Sequence, residues 1–164
     1  MKFGIGQPVT RKEDPKFLKG QGNYVSNINL KKMLHGFVLR SPHANARILS
    51  IDTSFAQNTP GVVVVLTGSD YEASNLGLIE CESMAEMLMG GTKGIQKPYG
   101  ALVKDYVKCV GVPVAFVIAE SIESAKDAAE LIEVDYETLP ALTSTKQARS
   151  KNAPLVWEGT KDNV

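Results

Sequence analysis

Between Val114 and Tyr136 the hydrophobic period changes twice within 23 residues. Val114 to Ala119 is a continuous apolar run of strand length, the mark of a buried strand. Ser121 follows as a helix N-cap. Ile122, Ala125, Ala129 and Ile132 then fall on one helical face, and Glu123, Lys126, Asp127 and Glu130 face away. From Glu133 to Glu137 the period becomes two, with Val134 and Tyr136 opposite three carboxylates, a half-exposed strand. Strand, helix and strand this close together pack a helix directly on a sheet, which makes the domain α+β.

The rest of the chain extends that pattern. Met33 to Arg40 is a first strand, with Leu34, Gly36, Val38 and Arg40 on one face and His35, Phe37 and Leu39 on the other; apolar character on both faces predicts burial on both sides. Pro42 interrupts it. Ala46 to Asp52 is a second strand carrying Ile48 and Leu49. Asp52 or Thr53 caps a short helix through Gln57. Val62 to Leu66 is a β-branched run that reads as a central strand. Tyr106 to Val110 reads as a strand, Gly111-Val112-Pro113 as a turn, Lys146 to Ser150 as a helical turn, and Pro154 to Val164 as extended. The expected architecture is a mixed sheet with a few helices on it.

Two segments break the pattern. Residues 1–27, with Gly4, Gly6, Pro8, Pro15, Gly20 and Gly22, have no period and read as an irregular arm that needs a surface to lie on. Residues 68–100 hold Met84, Met87 and Met89 and read as an excursion from the core, with a short helix over Glu80 to Met89 and a loop at Gly90, Gly91 and Gly94. The domain proper is then 28–150, with 151–164 as a C-terminal linker.

A chain of 164 residues is long enough to bury a core without covalent staples. Lys+Arg and Asp+Glu number 18 each, so no basic excess points to nucleic acid or an anionic membrane. Cys81 and Cys109 make neither a disulfide framework nor a CxxC site and read as two reduced, buried thiols. With no apolar run long enough to span a bilayer and no signal-peptide core, the expectation is a cytoplasmic protein.

Residues able to carry chemistry are few. Arg40-Ser41-Pro42-His43-Ala44-Asn45-Ala46-Arg47 places a histidine between two arginines, without a nearby carboxylate or second histidine. Arg40, His43 and Arg47 are therefore candidate interface residues rather than catalytic or metal-binding ones. His35 reads as a core or edge histidine. Gly90-Gly91-Thr92-Lys93-Gly94 fails as a phosphate loop because glycine follows the lysine and no strand feeds it; Gly4-Ile5-Gly6 is too short for a dinucleotide fingerprint. Glu133, Asp135 and Glu137 read as a solvated strand face rather than a Mg²⁺ or Ca²⁺ site. No catalytic, cofactor-binding or metal-ligating residue is assigned.

Several blocks, in order, carry a resemblance. Glu13-Asp14-Pro15-Lys16-Phe17-Leu18-Lys19-Gly20-Gln21-Gly22-Asn23-Tyr24-Val25 comes first, then Met33-Leu34-His35-Gly36, and Arg40 through Ile48. Ser50-Ile51-Asp52-Thr53-Ser54, Pro60-Gly61-Val62, Val110 through Ala115, and Ala128 through Ala141 follow. Together they resemble the N-terminal α/β hammerhead domain of the large subunit of the xanthine dehydrogenase and aldehyde oxidase family of molybdenum hydroxylases, and are most similar to the large chains of aerobic carbon monoxide dehydrogenase-like members. The resemblance implies a non-catalytic structural and assembly domain within an oxidoreductase acting on aldehydes, N-heterocycles or carbon monoxide. It implies as partners the molybdopterin-binding domains of the same large subunit, covalently joined or split, and iron–sulfur and FAD subunits. Molybdopterin, iron–sulfur clusters and FAD would belong to the full complex, with none bound by this chain, which alone would be inactive. Val112 stands where the family usually carries Glu or Gln, so a polar contact from that position is not expected. The alternative, from another class, is an autonomous module that binds a small ligand or peptide through the Met-rich excursion.

Overall fold

The computed structural model of the chain describes residue 6 and residues 10–80 and 97–163. It forms two compact units, Met1–Met33 and Leu34–Val164. The first contains one more element than its lack of period predicts, a short helix α1 (Asp14–Leu18) with Pro15 in its first turn. Five residues are too few for a periodic signal to register. A single 3₁₀ turn follows at Val25–Asn27.

In the second unit the strands are β1 (His35–Arg40), β2 (Ala46–Asp52), β3 (Val62–Thr67), β4 (Tyr106–Val107), β5 (Pro113–Ala119) and β6 (Glu133–Thr138). The helices are α2 (Ser54–Gln57), α3 (Gly68–Ala73), α4 (Ile122–Glu130) and α5 (Thr145–Ala148). The strands form two three-stranded sheets, ordered β1-β5-β3 and β4-β2-β6. Every pairing between these strands is antiparallel. The fold is α+β as expected, but the single mixed sheet is replaced by two smaller ones, because β6 leaves α4 to pair with β2 instead of returning beside β5.

Packing explains which strand lies at the centre. The β-branched run of β3 predicted a central strand; it is an edge, and Val63 is 55% exposed. The centre is β5, where Val114, Ala115, Val117 and Ala119 are fully buried. The small alanines of β5 face Ala125, Ala128 and Ala129 of α4, so the helix lies close on the sheet, with Ala56, Val65 and Ile132 completing the cluster. β1 is the other edge, and none of its residues is fully buried, against the expectation of burial on both sides. A second cluster, Ala46, Ile48, Val107 and Val114, lies under the β4-β2-β6 sheet. Leu39, Ile51 and Val134 pack against both clusters and join the two sheets.

Local signals set the element ends. Ser121 Oγ accepts the Ser124 N–H at 3.0 Å and starts α4, as its sequence implies. Thr53 is the N-cap residue of α2 but its side chain makes no cap bond; Asp52 Oδ1 instead accepts the Ser54 N–H at 2.8 Å. A register shift between Ile48 and Ser50 turns Leu49 outward while Ile48 stays buried. The expected strand from Tyr106 stops at Val107, because Gly111 (φ +87°) and Cys109 already belong to the following turn. Cys109 is exposed in that turn rather than buried. Residues 154–163 are not extended: Asn163 folds them back, accepting from the Val156 N–H at 2.9 Å and donating to the Pro154 carbonyl at 3.0 Å.

The excursion begins as a packed element. Gly68 is buried at the start of α3, hard against the backbone of Val103 and Lys104. Ile79 and Tyr99 exchange backbone hydrogen bonds of 2.8 and 3.2 Å, which closes its base. Glu80 is exposed and not helical; the rest of the helix expected over Glu80 to Met89, the glycine loop, the three methionines and Cys81 lie outside the described residues.

Candidate functional site

Arg40, His43 and Arg47 come from the end of β1, the turn after it and the start of β2. Ser41 anchors that turn: it is buried, its N–H donates to the Val112 carbonyl at 2.9 Å, and its carbonyl accepts from the Gly111 N–H at 2.9 Å. Arg40 Nη1 donates to the Gly111 carbonyl at 2.7 Å. The turn thus receives its polar contact from Arg40, and Val112 packs into the second core cluster instead. The His43 ring lies against Tyr136, centroids 4.7 Å apart, and the backbone N–H of His43 donates to Ser41 Oγ at 3.2 Å. Arg47 is exposed, in register with Tyr106 on one side and Glu137 on the other. No hydrogen bond joins any two of the three among the described residues. Arg40 and His43 are engaged in holding the turn, and Arg47 is left presented outward.

His35 is the first residue of the β1 edge and is half-buried. Glu133, Asp135 and Glu137 all lie exposed on β6. Among the described residues no group of three or more His, Cys, Asp or Glu is arranged to hold a metal.

The larger feature is a cleft of about 1220 Å³ lined by residues on both sides of the 81–96 segment in sequence. Its walls come from α3, residues 75–79, the 97–113 segment and Val156–Glu158. Leu76, Leu78, Ile79, Tyr99, Val110 and Trp157 line it, and all are exposed. Polar contacts fix its frame. Tyr71 Oη donates to the Gly77 carbonyl at 2.7 Å, Lys97 Nζ to the Glu158 carbonyl at 3.2 Å, and Lys104 pairs with Glu72 at 2.5 Å. That pairing raises the pKa of the Lys104 ammonium, mainly through its hydrogen bond to Glu72. Sequence reasoning missed this surface. Its one local signal is the apolar Leu76-Gly77-Leu78-Ile79 within a turn-rich stretch; the other wall comes from distant residues.

Comparison with known proteins agrees with this geometry. Residues 19–140 match the family model for the aldehyde oxidase and xanthine dehydrogenase a/b hammerhead domain. The chain is 41% identical to the carbon monoxide dehydrogenase large chain of Afipia carboxidovorans over 98% of its own length and 18% of that protein's. It is 36% identical to the 6-hydroxypseudooxynicotine dehydrogenase complex subunit gamma of Paenarthrobacter nicotinovorans, over 92% of this chain and 19% of that one. The crystal structure of the Cu,Mo-CO dehydrogenase in its carbon monoxide reduced state superposes with a TM-score of 0.76 at 41% identity, covering 97% of this chain and 18% of that one. The chain therefore spans under a fifth of the length of these relatives. Among the described residues no helix is long and apolar enough to cross a membrane. By the extent of its family match and its fold, the chain belongs to the aldehyde oxidase and xanthine dehydrogenase a/b hammerhead family, a domain of the molybdenum hydroxylases.

Proposed function

We propose that this domain is a non-catalytic assembly element of a molybdenum hydroxylase, a cytoplasmic oxidoreductase whose active site lies in domains beyond these 164 residues. The observation that carries this reading is the cleft. Soluble single domains rarely leave a contiguous group of large apolar side chains such as Leu76, Leu78, Ile79, Tyr99 and Trp157 in water. The cleft is the surface on which the remaining large-subunit domains dock. Arg47, with Arg40 and His43 fixing the turn behind it, adds a cation to the contact surface from β2, beside the cleft residue Tyr106 on β4. Such rim charges govern association rate and register more than affinity.

In the complete enzyme the molybdopterin, iron–sulfur clusters and FAD belong to other domains and subunits. The residues here do not fit an iron–sulfur cluster, which takes a full set of Cys thiolates, whereas the chain has two cysteines far apart in sequence. No chemical step is therefore assigned to this chain.

The test is co-purification of the chain with the remaining large-subunit domains. Wild type forms a stoichiometric complex, and Leu78→Asp weakens it at least about 30-fold by placing a charge in a desolvated contact. Association of the Leu78→Asp chain at wild-type strength would overturn the assignment. A second reading, a module that binds a small ligand or peptide, is favoured by the same cleft, which Leu76, Leu78, Ile79 and Tyr99 line with apolar side chains. Ligand-dependent melting of the isolated chain, with no association with the other domains, would support that reading instead.

A further inference from the structure

Beside the cleft, and sharing Lys108 and Val156 with it, the Leu34–Val164 unit holds a smaller cavity of about 40 Å³. Three irregular segments meet there: the turn at Asn45, the stretch after Pro140, and residues 154–156. Asn45 Nδ2 donates to the Pro140 carbonyl at 2.7 Å. That bond fixes which way the amide points, since a proline carbonyl can only accept. Asn45 Oδ1 is then the atom left over. It is buried, and no donor among the described residues reaches it.

The surroundings explain the shortage. Pro140 and Pro154 have no N–H to donate. The Val156 N–H is already taken by Asn163 Oδ1 at 2.9 Å, and the Leu139 N–H by the Asn45 backbone carbonyl at 3.0 Å. Acceptors are in excess. The Pro140 carbonyl receives one protein donor, Asn45 Nδ2, and the Pro154 carbonyl receives one, Asn163 Nδ2, at 3.0 Å. A carbonyl oxygen has two lone pairs, so each retains one. A buried acceptor without a donor loses its hydration with nothing in return, which is why such atoms are rare in folded proteins.

We propose that this cavity is a binding site for an ordered water molecule, which donates one hydrogen to Asn45 Oδ1 and the other to the Pro154 carbonyl. A water needs about 10–15 Å³ of such space and about two to four polar partners, and the cavity supplies both. Pro154 is the second acceptor because Pro140 is already bonded to Nδ2, across the amide from Oδ1. A metal cation would meet the same oxygens, but no carboxylate lines the cavity and Lys108 does, so the local charge opposes it. An apolar occupant would leave Oδ1 unpaired. The water ties the turn at Asn45 to residues 154–156, immediately before Trp157 of the cleft wall. The inference does not depend on the assembly reading.

The experiment is a crystal structure of the chain at a resolution that shows ordered water, paired with hydrogen exchange of the chain and of Asn45→Leu, a change close in shape that removes the acceptor. A water should lie within about 3.2 Å of both Asn45 Oδ1 and the Pro154 carbonyl. In Asn45→Leu the Val156 amide, beside the bridge, should exchange about fivefold faster, the equivalent of one lost hydrogen bond. If Asn45 acts only through its direct bond to Pro140, exchange rises at Leu139 and not at Val156, and the proposal fails. A cation on Oδ1, the Lys108 ammonium or any other donor of the chain in the same place, or no density beside Oδ1, would likewise overturn it. Should Asn45→Leu fail to fold, the wild-type crystal structure decides alone.

Discussion

Gly68→Ala turns the packing under the excursion into a number. At a helix start with ordinary φ, alanine in place of glycine normally stabilises by about 0.5–1 kcal/mol. At Gly68 the added Cβ would fall inside the contact distance of the Val103 carbonyl and 2.5 Å from the Lys104 backbone nitrogen. Relief to normal separation needs a movement of about 1 Å, and both obstructing groups are main chain, so no side-chain rotamer absorbs it. Overpacking of this kind costs about 1–3 kcal/mol, and a backbone obstruction lies at the upper end. After subtraction of the propensity gain, the expected loss is about 2 kcal/mol, or about 4–8 °C in Tm for a chain of this size. Thermal and urea unfolding followed by circular dichroism measure it, with Ser69→Ala, exposed one residue on, as a control expected within about 0.5 kcal/mol of wild type. A Gly68→Ala chain as stable as wild type, or more stable, would refute the claim that α3 is pressed on the 103–104 backbone.

Val117→Ala, which opens a cavity at the centre of the first cluster, is expected to cost about 2–3 kcal/mol in the same assay. Ser121→Ala removes the cap of α4 and should cost about 1 kcal/mol, with Ser121→Asp restoring most of it. Acid titration reads the start of α3. Asp70 accepts from the Thr67 hydroxyl and N–H, both at 2.7 Å, and the hydroxyl bond first, then the backbone bond, hold its carboxyl below the usual range. A depressed carboxylate contributes stability that is present above its unfolded value of about 3.9 and lost as pH falls through the folded value. The stability difference between wild type and Asp70→Asn should therefore be largest near pH 6 and shrink towards pH 2–3, as followed by urea unfolding at each pH. A difference that is constant with pH would remove Asp70 from the account.

The parts of the fold legible in the sequence are those set by local period. The face of α4 and the alternation of β6 follow directly from spacing, because each element meets a core on one side only. Edge and centre were not legible in the same way. A β-branched run such as Val62–Leu66 favours extended backbone wherever it sits, whereas the true centre, β5, is marked by alanines whose value appears only once α4 is laid on them. The exposure of Leu49 depends on a register shift fixed by pairing with β6. At the candidate site the sequence isolated the Arg40–Arg47 turn but not its division of labour, since Gly111 and Tyr136 reach it only through tertiary contacts. The cleft was invisible because Leu76–Ile79 has no period and Tyr99 and Trp157 arrive from far along the chain.

The most direct test of the assembly role is sedimentation of the 164-residue chain against the separately produced remainder of the large subunit. The account predicts a one-to-one complex with a Kd at or below about 1 μM, corresponding to about −8 kcal/mol. Two species sedimenting independently at tens of micromolar would contradict it.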